Sequence, residues 1–328
     1  MEAYTGFASV YDTFMDNVPY EEWSSYLIGL LREYGVQEGL VCELGCGTGS
    51  ITRRLRRAGY DMIGIDLSED MLWIAREYEQ NARLPDGDDM WDGDGSRGAA
   101  HTADGYKDIA QDAAMPVPPI LYLNQDMREF ELYGTVAAVV SLCDSMNYIT
   151  SEEELVQVFR LVNNYLDPGG IFIFDMNTVH KYRDIIGDTT IAENREDCSF
   201  IWENAYQEQT GLNRYDITVF KRVELENAEY GEDGEGDVSE AGEAGEFTPL
   251  FERITETHLQ RAYPTETVIR LLGEAGLEFV AAYEACTKQP VTEKTERAYF
   301  IAREKRQEGK LYLDDENAAE RGRKSGTE

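Results

Sequence analysis

Six residues in three short stretches have the types and spacing to do chemistry together. In VCELGCGTGS, Val41 to Ser50, glycines stand at alternate positions, Gly45, Gly47 and Gly49, behind the carboxylate of Glu43. GIDLS carries Asp66, and NQDM carries Asp126. Glycines let a backbone turn sharply and approach a ligand closely. A helix start directly after them offers free N–H groups. A dinucleotide cradle spaces its glycines G-x-G-x-x-G, with the third in the helix; the spacing here is G-x-G-x-G. Glu43, two residues before Gly45, is a poor neighbour for a pyrophosphate and a good one for an ammonium. That favours a zwitterionic amino-acid ligand. Asp66 falls about twenty residues beyond the glycines, where a carboxylate can accept both hydroxyls of an adenosine ribose. Asp126 has the chemistry to accept from an adenine amino group, with Met127 against the ring. The competing reading leaves all three carboxylates as surface charge, with Asp126 merely opening a loop.

The elements around these residues must bring them to one edge. LVCELG reads as a short buried strand and GSITRRLRRAG as a helix stopped at Gly59. YDMIGIDLS is a second strand, and SEDMLWIAREYEQNA a second helix with Ser68 as N-cap. ILYLNQDM and the apolar TVAAVVSL are the third and fourth strands. SEEELVQVFRLVNNYL opens on a capping box, Ser151 with Glu154, and ends at DPGG before a fifth strand, IFIFDMN. Such alternation predicts parallel βαβ units, with Glu43, Asp66 and Asp126 at the carboxyl edge where open α/β sheets bind ligands. SFIWENAYQEQ, NRYDITVFKRVEL and LFERITETHLQRAY then read as a three-stranded antiparallel meander. The helix PTETVIRLLGEAG and the strands LEFVAAYEA and RAYFIARE close the chain. The expected fold is an α/β sheet with a small antiparallel lobe inserted after the fifth strand.

Composition narrows the partners. The 328 residues carry a formal charge of −34, which argues against binding a nucleic-acid backbone. The acidity concentrates in residues 84–119 and 224–246, which have too little apolar character to bury and read as low-complexity insertions; 305–328 reads as a flexible tail. No apolar run reaches the ~20 residues of a membrane span, and the N-terminus lacks a basic-then-apolar leader. The default expectation is a cytoplasmic protein without membrane or nucleic-acid partners. Five cysteines without a CxxC pair suit reduced thiols, with no metal expected. Cys46, inside the glycine loop, reads as a small residue that fits there.

ELGCGTGS, GIDLSEDML and NQDM together resemble the motifs of the class I S-adenosylmethionine-dependent methyltransferases, and the resemblance runs from Tyr4 to Arg303. It implies a Rossmann-like, doubly wound seven-stranded sheet in the order 3-2-1-4-5-7-6, with the last strand antiparallel. That places a methyltransferase domain at 1–197 and 262–304 and a substrate lobe at 198–261. The opening YTGFASVYDTFM is similar to the lid of small-molecule members, including amino-sugar N-methyltransferases. S-adenosylmethionine is the implied cofactor. The implied cofactor set is Tyr4, Tyr11, Glu43, Gly45, Cys46, Gly47, Gly49, Asp66, Leu67, Met71, Asp126, Met127, Leu142 and Cys143. Tyr4 and Tyr11 read equally well as staples for a terminal helix. A small-molecule acceptor, nitrogen favoured, is expected against Trp202, Tyr206, Tyr215, His258 and Arg261, although Trp202 and Tyr215 fit the lobe's own core equally well. His180 is the candidate base, because imidazole titrates near neutrality, with Asp144 and Asn147 as further catalytic candidates. The alternatives are an NAD-dependent oxidoreductase and a non-catalytic S-adenosylmethionine-binding protein.

Overall fold

The computed structural model describes residues 8–15, 18–81, 118–223 and 249–305. Tyr4 and nearly all of both acidic stretches and the tail lie outside these residues. Two helices, α1 (Ala8–Phe14) and α2 (Tyr20–Glu33), precede the sheet. Then follow β1 (Leu40–Leu44), α3 (Ser50–Arg57), β2 (Asp61–Asp66), α4 (Glu69–Asn81), β3 (Leu121–Asn124) and β4 (Val136–Ser141). A single 3-10 turn, Ser145–Tyr148, leads to α5 (Glu152–Tyr165) and β5 (Leu166–Asn177). The lobe is β6 (Thr190–Asn194), β7 (Cys198–Gln207), β8 (Leu212–Arg222) and β9 (Phe251–Arg261). The chain closes through α6 (Thr265–Glu274), β10 (Leu277–Glu284) and β11 (Arg297–Glu304).

The main sheet runs β10-β11-β5-β4-β1-β2-β3, and β11 pairs antiparallel with both its neighbours. This is the expected order. Both faces are covered, as a parallel sheet requires. One core layer sets Phe159 and Val162 of α5 and Val268 and Leu272 of α6 against Phe172, Phe174 and Phe300. The other sets Leu27, Leu30 and Leu31 of α2 and Leu55 of α3 against Val41, Val140 and Ile173. The N-cap half of the capping box forms: Ser151 Oγ accepts from the Glu154 N–H at 3.1 Å, and its hydroxyl donates to the Glu154 carboxylate at 3.3 Å. Ser68 caps α4 through the Met71 N–H.

The lobe departs from expectation by one strand. Its antiparallel sheet has four members in the order β6-β7-β8-β9, and β6 lies before the expected start at 198. TIAEN is too short and polar to announce itself; it is a strand because β7 offers it an edge. Helix α1 packs on this lobe: Val10 joins Cys198, Tyr215, Ile217 and Val219, and Phe14 meets Phe200 edge-on at 4.7 Å.

Candidate functional site

A cavity of about 540 Å³ opens at the carboxyl edge of β1, β2 and β4, between the sheet and strand β9 of the lobe. Its floor is the glycine loop. Gly45 and Cys46 donate their N–H groups to the Ile65 carbonyl, and the Asp66 carboxylate accepts from the Gly47 N–H at 2.8 Å and the Ser68 N–H at 2.9 Å. Asp66 therefore ties the loop to the end of β2 while edging the cavity. Two glycines serve different ends. A Cβ at Gly45 would lie 2.5 Å from Ser145 Oγ, so that position is closed by packing. Gly47 has φ +53° and nothing within 4 Å of where a Cβ would stand, so its backbone faces open space. Gly49, φ +76°, starts α3 under Tyr122 and is not part of the lining.

Glu43 is buried in the cavity wall and accepts from the Thr52 hydroxyl of α3. Burial pushes its carboxyl from an ordinary 4.5 up to about 8, against the pull of the Thr52 hydrogen bond. Burial also raises Asp66, with the Ser68, Gly47 and Leu67 amides opposing. Asp126 goes the other way: Arg128 forks across it at 3.0 Å from Nε and 2.5 Å from Nη2, and these bonds hold it below the usual carboxylate range. Burial pushes the Cys46 and Cys143 thiols well up, so neither is poised as a nucleophile. All five cysteines are free thiols.

Of the expected cofactor set, Tyr11, Glu43, Gly45, Cys46, Gly47, Asp66, Leu67, Met71, Asp126, Met127, Leu142 and Cys143 line this one cavity. Thr48, also in the lining, donates to Asp12 of α1 at 2.9 Å, which ties the first helix to the glycine loop. Tyr11 thus faces the cavity as well as belonging to a packed helix.

The expected catalytic residues are placed elsewhere. His180 begins a π-helical turn, Lys181–Ile186, and pairs with Asp184 at 2.8 Å outside the lining; the turn after β5 carries it off the edge. Asn147 is fully buried and is a backbone bolt: its amide donates to the Asn177 and Arg261 carbonyls and accepts from the Asn177 N–H. Asp144 takes Arg297 at 2.7 Å and Gln260 at 2.7 Å. Arg297 also grips Asp175 at 2.9 Å, and Asp175 accepts the N–H groups of Cys143 and Asp144. Those two residues have φ of 58° and 53°, a left-handed pair that costs free energy in non-glycine residues. The network holds the strained turn beside the cavity. Burial opposes the charge of Arg297, yet Asp175 and Asp144 outweigh it, and the guanidinium stays firmly protonated.

Of the expected acceptor set, only His258 is in the lining. Trp202 and Tyr215 pack on each other at 4.7 Å in the lobe core. Tyr206 stacks over Tyr182 at 6.3 Å. Arg261 donates to the Thr150 carbonyl and lies against Tyr263. Trp23 of α2 lies against the Arg297 guanidinium at 5.0 Å. The lobe's wall of the cavity is Arg214, Thr257, His258 and Leu259, facing Tyr148 and Ile149. Reading the strands' period of two identifies alternate faces but not which face meets the sheet edge, so Arg214, Thr257 and Leu259 carried no signal.

The methyltransferase domain family matches residues 41–95, from β1 past α4. Over 300 residues, 91% of this chain and 96% of the relative, the sequence is 29% identical to YqeM of Bacillus subtilis, a protein named as a methyltransferase with no acceptor in its name. It is 28% identical over 170 residues to the dTDP-3-amino-3,4,6-trideoxy-alpha-D-glucopyranose N,N-dimethyltransferase of Streptomyces venezuelae, covering 51% of this chain and 56% of that one. An S-adenosylmethionine-dependent methyltransferase of Clostridium acetobutylicum matches with a TM-score of 0.67 at 23% identity, covering 93% of this chain and 100% of that one. DesVI of Streptomyces venezuelae matches at 0.59 and 19% identity, covering 90% and 97%. At such identities the structural likeness speaks for the fold.

Proposed function

We propose that this chain, which belongs to the class I S-adenosylmethionine-dependent methyltransferases, transfers the methyl group to an amine nitrogen of a small polar acceptor such as an amino sugar. The observation that carries the reading is the two-sided cavity. One half is the glycine loop with Glu43 and Asp66; the other is lobe strand β9 with Arg214 beside it. The relative that acts, by its name, on an amino sugar supports the acceptor class.

The residues fit the cofactor. Gly47 leaves its backbone open to close approach, and Glu43 places a buried carboxyl beside the loop, where it would hold an ammonium. Asp66 would accept from ribose hydroxyls while keeping Gly47 in place. Asp126 and Met127 would meet the adenine, and Leu142 and Cys143 would wall the far side. When bound, S-adenosylmethionine supplies an electrophilic methyl on a sulfonium, so the protein's task is orientation and electrostatics. Tyr11 and Tyr20 also line the cavity, where they would keep water from the acceptor nitrogen.

The test is a screen of amino sugars, aliphatic amines and phenols with donor labelled in the methyl carbon. Label is expected in amino-sugar nitrogen. Label in phenol oxygen alone contradicts the acceptor class, and donor binding with no transfer to any acceptor favours a binding protein.

A further inference from the structure

We propose that His258, acting through the Tyr148 hydroxyl, accepts the proton that an amine acceptor must release; this inference rests on the amine reading above. Tyr148 and His258 both line the cavity, one from the turn after β4 and the other from β9. The Tyr148 oxygen lies 3.0 Å from His258 Nδ1 and 2.5 Å from the Tyr215 oxygen. The imidazole stacks on the Tyr215 ring with centroids 4.8 Å apart and planes 8° from parallel, which fixes its orientation. Its other nitrogen, Nε2, lies 3.3 Å from Glu256 Oε2, a charge-pair contact without hydrogen-bond geometry.

The nearby carboxylate favours one direction of the chain by its charge. An ionised Glu256 only accepts, so it favours the tautomer with hydrogen on Nε2. That leaves Nδ1 as an acceptor, so Tyr148 donates to it, and Tyr215 in turn donates to the Tyr148 oxygen. Tyr148, which lines the cavity, therefore hands its own proton inward, and its oxygen keeps a second lone pair to take another.

An aliphatic amine is mostly protonated near neutrality, as the lysine amine is, and its lone pair must be freed before it can attack. The ammonium N–H bond breaks as its proton passes to the Tyr148 oxygen, while the Tyr148 proton passes to Nδ1. The freed nitrogen pair then forms the N–C bond to the methyl carbon, and the C–S pair leaves with sulfur. The resulting imidazolium lies between Tyr148 and Glu256, whose negative charge stabilises it. Gln260, two residues on and on the same face of β9, donates to Asp144 at 2.7 Å and pins the strand that carries His258 over the sheet edge.

The full chain has three histidines, so its imidazole nitrogen spectrum is sparse. With S-adenosylhomocysteine bound, His258 is expected as the Nε2–H tautomer with an unprotonated Nδ1, and Tyr148→Phe is expected to shift the Nδ1 resonance. Transfer to 3-amino-3-deoxyglucose by His258→Asn and by Tyr148→Phe is expected to fall ~100-fold or more in kcat, with S-adenosylhomocysteine affinity held. Transfer to an aniline, already unprotonated at neutrality, should fall far less. Tyr148→Phe retains the ring and reads the relay if His258→Asn does not fold. An Nδ1–H tautomer, or equal loss with both acceptors, overturns the relay and leaves the amine reading intact. No transfer to either acceptor by the unaltered protein overturns the amine reading and this inference with it.

Discussion

Glu43 shows how burial makes a carboxylate report on its own site. Its folded value of about 8 exceeds the ordinary 4.5. The folded protein therefore keeps a proton that the unfolded chain has released, and stability falls as pH rises from about 4.5 through 8. Melting temperatures of unliganded protein between about pH 5 and pH 9 should show this decline, and Glu43→Gln should flatten it. An unchanged slope in the variant would mean that the titration belongs to other groups, such as Asp66 or Asp175, which burial also raises. Asp66→Ala removes the acceptor for two backbone N–H groups of the cavity floor as well as the one proposed for ribose. Losing a charged acceptor costs about 1.5–3 kcal/mol, so S-adenosylhomocysteine affinity should drop ~10–150-fold; near-normal binding by calorimetry would remove Asp66 from the site. The glycine spacing and the carboxylates at three strand ends were legible because a ligand cradle imposes residue type locally. His180 misled for the opposite reason: its place after β5 was readable, but the π-helical turn that rotates it onto Asp184 was not.

Elements carry the site through contacts that sequence leaves unmarked. Arg297 on β11, Asp175 at the end of β5 and Asp144 after β4 meet only because β11 inserts antiparallel beside β5. In RAYFIARE, Arg297 looks like any charge at a strand end. Arg297→Met would leave two carboxylates unpaired, one of them fully buried, and breaking a buried pair costs about 3–5 kcal/mol. Chemical denaturation should show a loss of that size, with Arg297→Lys intermediate. A loss no larger than that of a surface ion pair would show that the left-handed turn at Cys143–Asp144 holds itself. The lobe was legible as a meander, because alternating apolar residues mark strands. Its fourth strand was not, and core and pocket stood equal for Trp202 and Tyr215, since that choice depends on which face the lobe turns to α1.

Across the whole molecule, alternating strands and helices marked the parallel units and the motif resemblance implied the order of seven strands, which the sheet has; the match of residues 41–95 to the methyltransferase domain family speaks against the nicotinamide alternative. Among the described residues no helix is long and apolar enough to cross a membrane. The acidic stretch between β8 and β9 spans two ends already joined: the Val223 N–H donates to the Leu250 carbonyl at 2.9 Å, and Arg222 pairs with Phe251. Replacing residues 226–246 by a short Gly/Ser turn should therefore leave S-adenosylhomocysteine affinity and melting temperature nearly unchanged, and a marked loss of either would give that stretch a structural role. The proposed transfer requires one cavity to hold donor and acceptor in separate halves. Leu259 lines the lobe half and is partly exposed to it, so Leu259→Trp fills the acceptor half without touching the glycine loop. Measured side by side on this variant, S-adenosylhomocysteine affinity should stay within about twofold while transfer of labelled methyl to the amine acceptor is lost. Affinity and transfer falling together, or transfer surviving intact, would contradict the division of the cavity.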